Sequence, residues 1–271
     1  MDPEDPTKGG HAVILSNLVL NQNLDWCSAR LIETLKEPRG DMFWMIPMTS
    51  IAYHGRGKLS EEAMQALRQA WKTYMPQRGD TENHWIMYYT TLYLMAQLWP
   101  DLPAEEWYTG KSSAENLQEA RDYIVWWIDI TTTMGQGEYD CTHYIGEYLM
   151  PMFQLAAWAE DPEMRIRGQM MIDYILADFA IDTLDGMYVG AHARTDDTQV
   201  LEKHNGLSSM FAWLFFNNTP RSRTSWSIYV AANAEYYRLP EVLYKIANER
   251  EGPYLSRELK RTRERWRNSD E

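Results

Sequence analysis

Positive charge is in short supply: 26 Lys and Arg face 39 Asp and Glu across 271 residues, for a formal net charge of -13. A general nucleic-acid binder needs clustered cations to meet phosphates, so the balance argues against that class and predicts no nucleic-acid partner. Cysteine is scarcer still. Cys27 and Cys141 lie far apart and match no metal or redox spacing, so no disulfide framework is expected and both read as core residues. No charge-free apolar run of about 18 residues occurs, which predicts no membrane span. The opening Met1-Asp2-Pro3-Glu4-Asp5-Pro6 is acidic and lacks the regions of a signal peptide. A cytoplasmic location is expected, or a periplasmic or secreted one if a leader has been removed. Phosphate loops, dinucleotide fingerprints and Gly-x-Ser-x-Gly elbows are missing too, so no cofactor is expected.

What the chain does have is helical periodicity, with strand-like alternation rare. An all-α fold is expected, as a single domain over 1–271 that ends in a basic segment, 255–271. Two kinds of helix take turns. Met42 to Tyr53, Trp85 to Trp99, Leu149 to Trp158 and Gly206 to Phe216 carry no charge, whereas Ser60 to Tyr74, Ser112 to Ile130 and Pro162 to Asp182 are amphipathic. A helix apolar all round must be enclosed, and one with a charged face lies outside. Inner and outer helices alternating in sequence build an α/α toroid in which the inner helices all start at one end. Roughly four inner and four or five outer helices are visible, so either the ring is open, or it is incomplete and the chain is part of a longer protein, and a missing C-terminal domain or a homo-oligomer is the expected partner. Pro47 and Pro151 fall inside uncharged segments and predict kinks or breaks.

Chemistry-bearing residues gather where the inner helices begin. Gly79-Asp80-Thr81-Glu82-Asn83-His84-Trp85 opens one, with Asp80 or Thr81 as cap, Glu82 as a first-turn acid and Tyr88 one turn beyond His84. Gly135-Gln136-Gly137-Glu138-Tyr139-Asp140-Cys141-Thr142-His143-Tyr144 opens the next. In both, a glycine turn leads to a glutamate and then a histidine. Glu138 would serve as general acid or base if burial raised its pKa, and first-turn capping is the competing role. His143 and Glu147, at i and i+4, are too few to define a metal site, and none is expected. Gly186-Met187-Tyr188-Val189-Gly190-Ala191-His192-Ala193-Arg194 forms a glycine-containing loop whose His192 and Arg194 suit a carboxylate partner, and His204-Asn205 lead into the last uncharged run. Twelve tryptophans and seventeen tyrosines supply core and, at the rim, faces for sugar rings.

Helix alternation over about residues 41 to 217, with Asn83-His84, Tyr139 or Tyr144, and His192-x-Arg194, resembles the α/α-toroid domains of polysaccharide lyases of the alginate-lyase and heparinase-like groups, and less specifically toroidal glycosidases. The resemblance implies β-elimination on a uronic-acid-containing oligo- or polysaccharide. It implies Asn83, His84 and Arg194 as neutralisers of the substrate carboxylate, Tyr144 or His192 as base, and Tyr139 in reserve as acid. Glu82, Trp85, Tyr88, Tyr139, His143, His204 and Asn205 would line the substrate path. Two other readings stand beside it: a glycoside hydrolase using Glu82 and Glu138, and a non-catalytic toroid that binds a glycan or a protein, or one acting on an apolar isoprenoid-like substrate.

Overall fold

The computed structural model describes residues 8–184, 186–189, 191–195, 197, 201, 206–221, 226–250 and 252–261. Eight helices run in succession: α1 (Lys8–Val19), α2 (Leu24–Leu35), α3 (Met42–His54), α4 (Glu61–Thr73), α5 (Glu82–Leu98), α6 (Ser113–Met134), α7 (Tyr144–Trp158) and α8 (Pro162–Asp182). A short antiparallel hairpin of β1 (Thr183–Leu184) and β2 (Met187–Tyr188) follows. Then come α9 (Leu207–Phe211), extended by a π-type turn over Ala212–Phe216, α10 (Ile228–Ala231) and α11 (Glu241–Asn248). The fold is all-α apart from that hairpin. None of the described helices is long and apolar enough to cross a membrane.

Charge patterning sorts the helices into two layers. The mostly apolar α3, α5 and α7, whose only acidic or basic charges are the buried first-turn acids Glu82 and Glu147, pack side by side, with α1 next to α3 and α10 touching α1, α3 and α7. The charged helices lie outside them: α2 beside α4, α6 against α5, and α8 against α7. Local signals in the sequence set the outer starts. Ser60 accepts the Ala63 N–H at 3.2 Å, Ser112 and Glu115 form a capping box, and Pro162 takes the first position of α8 behind Asp161. The helices continue through Pro47 and Pro151, so of the expected kinks or breaks the breaks do not occur. Enclosure on every side holds the α conformation where propensity alone would break it.

Polar side chains inside this core are tied to backbone. Gln154 of α7 donates to the Ile46 carbonyl at 2.9 Å and to Ser50 Oγ at 2.8 Å, fastening α7 to α3. Gln97 donates to Trp158 O and accepts from Glu160 N, joining the far ends of α5 and α7. Cys27 and Cys141 are buried free thiols, as expected, and burial pushes the Cys27 thiol up to about 11.

Helices α7 and α8 approach closely at Gly168, where an added Cβ would sit 2.9 Å from the Ala156 backbone nitrogen. Helix propensity alone favours Gly168→Ala by ~1 kcal/mol. The collision with backbone reverses that sign, and thermal or urea unfolding of the variant is expected to show a loss of ~1–3 kcal/mol.

Candidate functional site

The starts of α3, α5 and α7 meet at one end of the molecule. Asp41 caps α3 by accepting the Phe43 N–H at 2.8 Å, and the Phe43 ring stands edge-on to His84 at 5.6 Å. Gly79, at φ +72°, lets the loop before α5 lie directly on the His84 ring.

At the centre, two buried carboxylates bind each other's backbone. Glu82, the first residue of α5, accepts the N–H groups of Gly137 at 2.7 Å and Glu138 at 3.1 Å through one oxygen. Through the other it accepts Trp127 Nε1 at 2.9 Å and the Arg261 guanidinium. Glu138 answers by accepting Asn83 N at 3.0 Å and Asn83 Nδ2 at 2.7 Å on one oxygen and Arg194 on the other. All these partners are donors, as an ionised carboxylate requires. Burial pushes the Glu82 carboxyl up, and the Arg261 charge opposes that shift.

The geometry revises several sequence expectations. Thr81 occupies the cap position of α5, but its hydroxyl donates to Asn83 Oδ1 at 3.0 Å, and Glu138, far along the chain, caps the helix instead. Glu138 sits in the loop before α7 and not in a first helical turn. Asn83 is fully enclosed with its amide engaged at both ends, so it presents nothing to a ligand.

Around Glu138 stand the groups that do reach solvent. The Arg194 side chain is 44% exposed, lies 4.8 Å over the Tyr144 ring, and uses one nitrogen on Glu138. Its remaining donors have no protein partner among the described residues. Tyr144 is half-buried, and burial raises its phenol against the opposing charge of Arg194. His84 is half-buried; burial lowers its pKa, with Asp41 and Glu138 opposing, so the imidazole is neutral at neutral pH. Its Nδ1 has no hydrogen-bond partner among the described residues.

Other candidates lie at the margins. His192 holds its loop through Nδ1 and the Asp140 carbonyl at 2.5 Å. His143 faces Glu147 at 3.7 Å. Tyr139 lies beneath the Lys260 ammonium, 5.5 Å from its ring. Trp85 donates to the Gly79 carbonyl, and Tyr88 opens onto a separate cavity on the flank. His204 and Asn205 lie outside the described residues.

Sequence reasoning missed the part played by the chain's end. The described part of the basic segment packs onto the fold: Leu259 to Arg261 lie across the loop between α6 and α7. Gly135, at φ +82°, leaves room for the Leu259 carbonyl, and Arg261 N bonds Gln136 O at 3.3 Å. The Arg261 side chain is enclosed against Glu82. Lys260 enters a cluster of Asp140, Asp178, Asp182 and Glu258, at 2.6 Å from Asp140 and Glu258 and 3.5 Å from Asp178. Only the excess of Lys and Arg near the terminus hinted at this, since no local pattern pairs residues 179 positions apart.

Comparison of the chain with protein-family models, curated proteins and solved structures finds no match.

Four carboxylates around one ammonium leave excess negative charge. Burial, with its acidic neighbours, raises Asp140 to about 6 and Asp182 to about 7. For Glu258 burial is outweighed by hydrogen bonds from Lys260 and Asp182, and its carboxyl is lowered. Raised carboxyls contribute stability that is full below their unfolded value of 3.8 and lost as pH rises through about 6 and about 7. Melting curves are therefore expected to show Tm falling across that interval. Asp182→Asn should flatten the fall and raise Tm at alkaline pH; an unchanged profile would refute the assignment.

Proposed function

We propose that the chain cleaves a uronic-acid-containing glycan by β-elimination, on a scaffold of alternating inner and outer helices arranged as an α/α toroid. One observation carries this reading: a half-exposed arginine with unused donors, fixed by a buried glutamate, beside a neutral imidazole and a protonated phenol. Elimination next to a carboxylate needs those three functions. A preorganised cation stabilises charge developing on the carboxylate, a neutral base removes the α-proton, and an acid protonates the leaving oxygen.

Roles follow from position. Arg194 engages the uronate carboxylate. His84 takes the C5 proton; the C5–H electrons form the C4–C5 double bond, the C4–O bond breaks, and Tyr144 donates its proton to the departing oxygen. Both groups then return to their starting states by proton exchange with water. Glu138 is a positioning residue that orients Arg194, and Asn83 and Glu82 hold Glu138. His192 and His143 flank the substrate path.

The rival hydrolase needs two carboxylates free to donate a proton or attack. Glu82 and Glu138 are saturated by donors inside the protein, which disfavours that role.

Incubation with uronate polymers should release an unsaturated product whose conjugated double bond absorbs in the far ultraviolet. Arg194→Ala and His84→Gln should each lower kcat/KM by ~10²–10⁴-fold, with Arg194→Lys in between. The acid limb of the pH profile should fall below the ordinary histidine value. Reducing ends without the absorbance would favour hydrolysis, and no product from any uronate polymer would reject the enzyme reading.

A further inference from the structure

A cavity of about 540 Å³ opens on the flank, between the end of α4, the middle of α5 and the loop leading into α6. It shares no lining residue with the Glu138 cluster. Its size falls in the range of small-molecule sites.

Its chemistry is distinctive at Arg78. The guanidinium lies over Trp85, 4.1 Å from the ring centroid, and donates to Tyr89 Oη at 2.9 Å. Among the described residues no carboxylate lies within ion-pair distance of it. The other cation at the cavity, Lys111, is already paired with Glu119. In a chain of net charge -13, a half-buried arginine held against an aromatic face and without an acid partner among the described residues is a preformed anion receptor. Apart from the Lys111–Glu119 pair, the wall combines the phenols of Tyr88, Tyr89 and Tyr108 and the Thr109 hydroxyl with apolar surface from Pro76 and Leu92. Burial pushes Tyr88 up to about 12 and Tyr108 well above the ordinary phenol value, so both remain donors. Met75 is exposed beside them.

We infer that this cavity binds a small carboxylate carried on a ring, the ring lying against Tyr88 and Tyr108 and the carboxylate on Arg78. A uronic acid and an aromatic acid share that chemistry. The inference is independent of the elimination reading, because neither Arg194 nor His84 takes part.

The test is calorimetric titration of the full chain with glucuronate and with 4-hydroxybenzoate, each beside its uncharged counterpart, glucose or phenol. At least one acid should saturate, and its uncharged counterpart should bind ~10-fold more weakly or not at all. The stronger arm identifies sugar or aromatic acid. Measured in an Arg194→Ala background, so that a uronate held at the Glu138 cluster does not contribute, Arg78→Gln should weaken binding by ~10-fold or more and Arg78→Lys by less. If Arg78→Gln fails to fold, nuclear magnetic resonance of the wild-type chain decides. The Arg78 side-chain and Trp85 indole N–H signals should then shift with the acid. Absence of saturation by both acids, equal binding to the Arg78→Gln chain, or shifts confined to the Arg194 neighbourhood would each overturn the proposal.

Discussion

Everything at the functional end depends on two buried carboxylates that hold each other's backbone. An isolated carboxylate is costly to bury, by several kcal/mol even after relaxation. Here Glu82 and Glu138 recover that cost by serving as caps for each other's segments: Glu138 for the open N–H at the start of α5, Glu82 for the N–H groups of the loop before α7. Each also carries one arginine, Arg261 on Glu82 and Arg194 on Glu138. Neither carboxylate can be lost without leaving donors buried and unmatched, so the two helix starts are fixed as a unit.

The two arginines differ in a way that matters for function. Arg261 is enclosed, its charge matched to Glu82, and it belongs to the scaffold. Arg194 has nearly half its side chain in solvent and donors to spare. The same kind of pair thus serves as a structural lock on one side and as a positioned cation on the other. Lys260 repeats the structural version a residue earlier, among carboxylates whose mutual repulsion makes that part of the molecule sensitive to pH.

Much of the architecture was legible in the sequence because burial writes itself into charge patterning. The uncharged runs at Met42 to Tyr53 and Trp85 to Trp99 became the enclosed α3 and α5, and Ser60, Ser112 and Pro162 marked outer starts correctly. Glu82, Glu138 and Arg194 were singled out, and the structure does bring them together. Their division of labour was not readable. Local rules assign a first-turn glutamate to its own helix, whereas here the cap comes from a loop 55 residues away. At Lys8–Val19 two glycines and an almost uniformly apolar sequence blur the period of α1, whereas α2 at Leu24–Leu35 carries a plain amphipathic pattern, and the role of Lys260 and Arg261 depends on pairing across the whole chain.

The mutual clasp is tested most directly by a double-mutant cycle of Glu82→Gln and Glu138→Gln, read by equilibrium unfolding at neutral pH. Glu82→Gln should cost ~3–5 kcal/mol, since it leaves the enclosed Arg261 charge and backbone donors poorly matched, and Glu138→Gln ~1–3 kcal/mol, since Arg194 stays solvated while the buried Asn83 donors lose a charged acceptor. Because both act on one joint, the double variant should lose less than the sum, with a coupling of ~1 kcal/mol or more. Small single effects, or strictly additive ones, would contradict the account and return the two glutamates to independent roles.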